Sequence, residues 1–122
     1  MREQPLILIV DDDRSVHMTL TPVLAGAGFE IHSAYSGEEG LRMARSFQPR
    51  IVILDVIMPK MDGFEVLKRL KANARTAAIP VIMLTAKPET SSILKAQGMK
   101  ATDYVVKPFD ADNFLRVIQR HV

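Results

Sequence analysis

A run of three carboxylates at Asp11-Asp12-Asp13, a further carboxylate at Asp55, a hydroxyl at Thr85 and an amine at Lys107 are spread over most of the chain. Together they hold what transfer of a phosphoryl group to a carboxylate requires. A carboxylate such as Asp55 attacks phosphorus to form an acyl phosphate. Neighbouring carboxylates would repel both the nucleophile and the incoming group, and a hard divalent cation removes that repulsion. Mg²⁺, or Mn²⁺ in its place, takes one or two carboxylates plus phosphoryl oxygens and waters. Asp12 and Asp55 are the expected direct ligands, with Asp11 acting through water and the backbone carbonyl of Ile57 adding a contact. Lys107 offers a point charge to one phosphoryl oxygen and Thr85 a hydroxyl donor to another. Such transfer rests on positioning and charge neutralisation more than on covalent help.

These residues need elements that bring them together. Each follows a short apolar run: Leu6–Val10, Ile51–Leu54, Val81–Leu84 and Tyr104–Val106. Runs of that length, rich in Ile and Val, read as strands buried on both faces of a parallel sheet. In open α/β sheets, functional groups gather at the carboxyl ends of the strands. Glu30–Ala34 reads as a shorter alternating strand. Helical patterns fill the intervals: Arg14 to Ala27 with Asp13 as N-cap, Glu38 to Phe47 after Ser36 with Glu39 completing a capping box, Phe64 to Ala72, a short segment near Glu89 to Gln97, and Ala111 to Arg120 after Asp110. Pro22 is expected to kink or divide the first helix. Asn73-Ala74-Arg75-Thr76 reads as a polar connector and Asp62-Gly63 as turn chemistry. The alternation predicts an α/β fold of five βα units, with residues 1–122 forming one domain and no output domain after the last helix.

The bulk composition agrees. At 122 residues, with 48% hydrophobic and 25% charged residues, the chain has enough material for a core of its own. Cysteine is absent, which removes disulfide and thiolate chemistry. No apolar run reaches the ~20 residues of a membrane span, and the polar start does not resemble a signal peptide, so the expected location is cytoplasmic with no membrane partner. The net charge of +2 is mild and its basic residues are scattered, so direct nucleic-acid binding is not expected.

The motifs Leu8-Ile9-Val10-Asp11-Asp12-Asp13, Leu54-Asp55 through Met58-Pro59-Lys60-Met61-Asp62-Gly63, Pro80 through Leu84-Thr85-Ala86, and Asp103-Tyr104-Val105-Val106-Lys107-Pro108-Phe109 occur in order, each at a strand. In this the whole chain resembles the receiver domains of two-component response regulators, of the single-domain chemotaxis-regulator type. The resemblance implies a flavodoxin-like doubly wound sheet of order 2-1-3-4-5. It implies that Asp55 accepts phosphate from a histidine kinase or phosphotransfer protein, that Asp11 and Asp12 are the acidic metal pair, that Thr85 is a switch hydroxyl and Lys107 a phosphate contact, and that the Lys107–Pro108 bond is cis. Tyr104 matches the aromatic that turns inward as Thr85 moves toward the phosphate. That movement would bias a surface of the fourth helix, fifth strand and fifth helix, where an output protein or domain binds and where homodimerisation on phosphorylation is an open alternative.

Two positions depart from the family pattern. Ile57 stands where a polar residue is common, on the rim that attacking water must cross. With Lys87 as the other rim position, slow autodephosphorylation is expected. Lys100 stands where the family has glycine, so either the fourth helix ends at Gly98 or Lys100 is left-handed.

Competing readings are weaker. An aspartate phosphatase would carry a second acid two residues after Asp55, where Ile57 stands. A nucleotide-binding module would carry a glycine-rich loop, and neither G-x-G-x-x-G nor the P-loop pattern occurs. A receiver-like docking domain that no longer takes phosphate is the remaining alternative. Asp13 reads as a cap, the methionines as packing, and His17, His32 and His121 as a helix, a strand and a solvated terminal residue without ligand spacing. Lys60, Lys68, Arg69, Lys71 and Arg75 read as a solvated face.

Overall fold

The computed structural model describes residues 4–85, 98, 100–107 and 109–122. The expected fourth helix near Glu89 to Gln97, the rim residue Lys87 with Ala86 and Pro88, and the Lys107–Pro108 bond lie outside the described residues.

Five strands form one parallel sheet in the order β2-β1-β3-β4-β5. They are β1 (Leu6–Val10), β2 (Glu30–Ala34), β3 (Ile51–Asp55), β4 (Val81–Thr85) and β5 (Asp103–Val106). The order is the flavodoxin-like one, and the strands fall where the apolar runs place them. Along β1, β3 and β4, alternate side chains enter opposite layers, as the two-residue period of a strand demands. Leu8, Val10, Val52, Leu54, Val81 and Met83 pack with Leu41 and Ala44 of α2 (Gly37–Phe47) and with Phe64, Val66, Leu67 and Leu70 of α3 (Gly63–Ala72). Ile7, Ile9, Ile51, Ile53, Ile82 and Leu84 pack on the other face with Val16, Leu20 and Leu24 of α1 (Arg14–Gly26), and with Phe114 and Ile118 of the C-terminal helix (Ala111–Arg120). Burial on both faces is why these strands are almost wholly apolar.

The parallel register does the positioning. Val10 stands opposite Leu54, Asp55 opposite Leu84, and Thr85 opposite Val106. The carboxyl ends of four strands are therefore level, and the residues just past them share one edge.

Helix starts follow the expected caps. The side chains of Asp13, Ser36, Asp62 and Asp110 accept from the backbone N–H of Ser15, Glu39, Glu65 and Asp112. Asp62 thus does more than form a turn, since it starts α3. The capping box is altered, because the Glu39 carboxylate accepts from the N–H of Tyr35 (2.8 Å), one residue before Ser36.

Pro22 does not divide α1, which runs unbroken from Arg14 to Gly26. Pro22 lies on the solvent side, as does Met18 four residues earlier, so the carbonyl that proline leaves unbonded is next to water. The 73–76 connector is not uniformly solvated. Thr76 is buried and its hydroxyl donates to the Leu70 carbonyl at the end of α3 (2.7 Å). Lys71 leaves the solvated face too: its ammonium donates to the carbonyls of Ala77 and Ile79. Lys100 has a φ of 66°, so the left-handed alternative is the one adopted.

Gly63 is forced by the approach of α3 to the end of β3. Its N–H donates to the Val56 carbonyl (2.8 Å), and a Cβ built on it would overlap the Asp55 carbonyl oxygen and lie 2.8 Å from the Val56 Cα. By contrast, a Cβ at Gly26 meets nothing within 4 Å. Two substitutions of like chemistry therefore have opposite signs. In urea denaturation, Gly63→Ala is expected to lower stability by about 1–3 kcal/mol through overpacking. Gly26→Ala, in the last turn of α1, is expected to raise it by about 0.5–1 kcal/mol.

Candidate functional site

The leading edge of the site is the end of β1. The Asp11 N–H donates to the Ala34 carbonyl (3.1 Å), which ties it to the end of β2. Its side chain is buried and fully engaged: Oδ1 accepts from the Asp13 N–H (2.9 Å) and Oδ2 from the Lys107 ammonium (3.1 Å). Asp12, next in the chain, is exposed. Asp13 turns away and caps α1, its carboxylate accepting from both the N–H and the hydroxyl of Ser15. That is the cap role expected of it.

Asp55, the last residue of β3, is 5% exposed. The Lys107 ammonium, 3.4 Å from its Oδ1, bridges it to Asp11 across the edge. Lys107 follows β5, and its N–H donates to the carbonyl of Thr85 (2.6 Å), so the same backbone contact sets the height of both residues. Thr85 is completely buried at the end of β4. Carboxylate oxygens of Asp11, Asp12 and Asp55 all lie within 4.8 Å of one another. That spacing suits a single hard cation with waters completing its shell.

Charge confirms that the cluster is under-compensated. The Asp55 carboxyl is pushed up to about 6, first by burial and then by the nearby Asp11 charge, with Lys107 opposing. Burial alone would lower Lys107, but the facing Asp11 and Asp55 carboxylates outweigh it and hold the ammonium charged. Three acids share one lysine. A cation bound there would supply the missing positive charge.

The remaining expected residues sit around this centre. Ile57, two residues past Asp55, projects into solvent with 48% of its surface exposed. Tyr104 is half-buried, stands beside Met83 across the β4–β5 pairing, and packs on the face shared with α2 and α3. A cavity of about 440 Å³ lined by Pro5, Pro49, Arg50, Arg75 and Pro80 opens near the amino ends of the strands and holds none of these groups.

One residue at the site was not legible as such. His17 is buried, and its Nε2 lies 2.8 Å from the Asp11 carbonyl while Nδ1 lies 2.8 Å from the Ser33 hydroxyl. The available signal was its place on the core stripe with Leu20 and Leu24, where a polar ring needs partners.

Comparison with known proteins decides the family. The description "Response regulator receiver domain" fits residues 7–119. The chain belongs to the response-regulator receiver domains. It is 36% identical to Protein PilH of Pseudomonas aeruginosa over 112 residues, covering 92% of this chain and 93% of that protein. It is 40% identical over 111 residues to the DNA-binding dual master transcriptional regulator RpaA of Synechocystis sp., covering 91% of this chain but 46% of RpaA. The chain thus spans less than half of that regulator and nearly all of PilH. Chemotaxis protein CheY4 of Vibrio cholerae has the same fold, with a TM-score of 0.92, 31% identity and coverage of 98% and 99% of the two chains. The receiver domain is a module of two-component signalling and acts as a switch, not as an enzyme turning over a separate substrate. Among the described residues, no helix is long and apolar enough to cross a membrane.

The Asp55 shift has a measurable sign. Its folded-state value lies above the ordinary 3.8, so the folded state holds this proton more tightly than the unfolded state does. Without metal, the resulting cost to stability is absent below about pH 4, grows between pH 4 and 6, and is complete above pH 6. Asp55→Asn removes it. Metal-free Asp55→Asn is expected to exceed the wild type in stability by about 1–3 kcal/mol at pH 7.5, with the gap closing by pH 4. Urea denaturation at the two pH values measures it.

Proposed function

We propose that this receiver domain, residues 1–122, is a phosphorylation-dependent switch in which Asp55 accepts a phosphoryl group from a histidine kinase or a histidine phosphotransfer protein. The convergence of Asp11, Asp12 and Asp55 around Lys107 carries this reading. An Asp55 oxygen attacks phosphorus in line, the bond from phosphorus to the donor's imidazole nitrogen breaks, and that nitrogen keeps the electron pair. The product is an acyl phosphate on Asp55.

Bound Mg²⁺ or Mn²⁺ would neutralise the acids and engage phosphoryl oxygens. Asp12 and Asp55 would hold it directly, Asp11 through water, with the Ile57 carbonyl as a further ligand. The engagement of both Asp11 oxygens by Asp13 and Lys107 supports the less direct role for that residue. Lys107 would pass from its carboxylate partners to a phosphoryl oxygen, and the Thr85 hydroxyl would donate to another. Movement of Thr85 would free space for Tyr104 and alter the face of the fourth helix, fifth strand and C-terminal helix. An output protein or domain would read that face.

Ile57 sets the lifetime in this scheme. An exposed branched apolar side chain beside the acyl phosphate gives attacking water no hydrogen bond.

Intact-mass measurement after incubation with acetyl phosphate tests the reading. A single phosphoryl adduct is expected with Mg²⁺, absent without metal and absent in Asp55→Asn. An unmodified wild-type chain would leave a docking domain that takes no phosphate. Ile57→Asn is expected to shorten the adduct's half-life by up to about tenfold, ~1.4 kcal/mol of barrier. A longer half-life in that variant would reverse the role given to Ile57.

A further inference from the structure

We propose that His17 is a positioning residue for the acidic cation site, fixing the peptide between Asp11 and Asp12 and so setting the affinity for the ion. The inference rests on the receiver reading above.

The geometry is specific. A carbonyl oxygen can only accept, so the 2.8 Å contact requires the proton on His17 Nε2. In the neutral ring, Nδ1 then accepts the Ser33 hydroxyl at 2.8 Å. The ring is held across its face as well as in its plane. Tyr35 packs on it with centroids 4.4 Å apart, and the Arg14 guanidinium lies 4.3 Å from the Tyr35 centroid. His17 therefore joins α1 to the end of β2 and to the end of β1.

The bonded carbonyl belongs to the peptide unit that links the two acids. Holding that plane fixes ψ of Asp11 and φ of Asp12, and hence the angle between their carboxylates. Asp11 has other ties through its N–H and side chain. Asp12 is exposed, and the peptide that His17 holds is its link to those ties. A histidine 4% exposed on a stripe shared with Val16, Leu20 and Leu24 is not explained by packing, which an apolar residue would serve. Partners that orient metal ligands typically change metal affinity by about 10–100-fold when removed.

The test is calorimetric titration of MgCl₂ into the full chain, with thermal unfolding run beside it. His17→Phe keeps a ring against Tyr35 but has no donor. His17→Gln places an amide N–H where Nε2 stands. The Mg²⁺ Kd is expected to rise at least about tenfold in His17→Phe and to stay within about threefold of wild type in His17→Gln. Losses of melting temperature in both variants with an unchanged Kd would mean packing alone and would overturn the proposal. Should His17→Phe fail to fold, Ser33→Ala loosens the ring's other tie, and an unchanged Kd there would overturn it equally. Absence of Mg²⁺ binding by the wild type is a different failure, since it removes the receiver reading of the cluster itself.

Discussion

The Lys107 ammonium, held between Asp11 and Asp55, is the contact on which the rest of this edge depends. It is the one cation bonded to either carboxylate among the described residues, and it stands against three acids. Too little positive charge, together with burial, holds the Asp55 carboxyl above its ordinary range. The imbalance is maintained by burial, since in water the same charges would be screened to near indifference.

Keeping like charges together has to be offset elsewhere, and the two apolar layers do so. Strands buried on both faces make the sheet hard to deform, so its carboxyl edge is a fixed frame. Gly63 lets α3 start directly against the end of β3, and the Lys107-to-Thr85 backbone contact locks β5 to β4 at the same level. Surface ion pairs such as Arg69 with Glu65 contribute little by comparison. A rigid edge suits the proposed transfer, because chemistry that works by positioning is slowed when its groups drift apart.

Much of this was legible in the residues because a parallel sheet converts sequence order into spatial convergence. Once four apolar runs are strands, Asp11, Asp55, Thr85 and Lys107 must meet, and the caps at Asp13, Ser36 and Asp110 follow from local chemistry. What escaped were contacts that depend on a third element. Pro22 leaves α1 whole because its freed carbonyl faces water, a fact of orientation and not of composition. Lys71 and Thr76 bond backbone carbonyls that only the folded turn presents. His17 bonds a carbonyl on one strand end and a hydroxyl on another, and no spacing announces such a pair. At Lys100 two readings stood open, a helix ending at Gly98 or a left-handed Lys100, and its φ of 66° is left-handed.

The charge imbalance at Asp55 is the central claim, and titration of its side-chain carboxyl by carbon-detected NMR reads it most directly. Without metal the carboxyl is expected to titrate near 6, and saturating Mg²⁺ should lower it, because a bound cation favours the charged form. Titration at the ordinary carboxylate value without metal, or a value near 6 that Mg²⁺ leaves unmoved, would contradict the account.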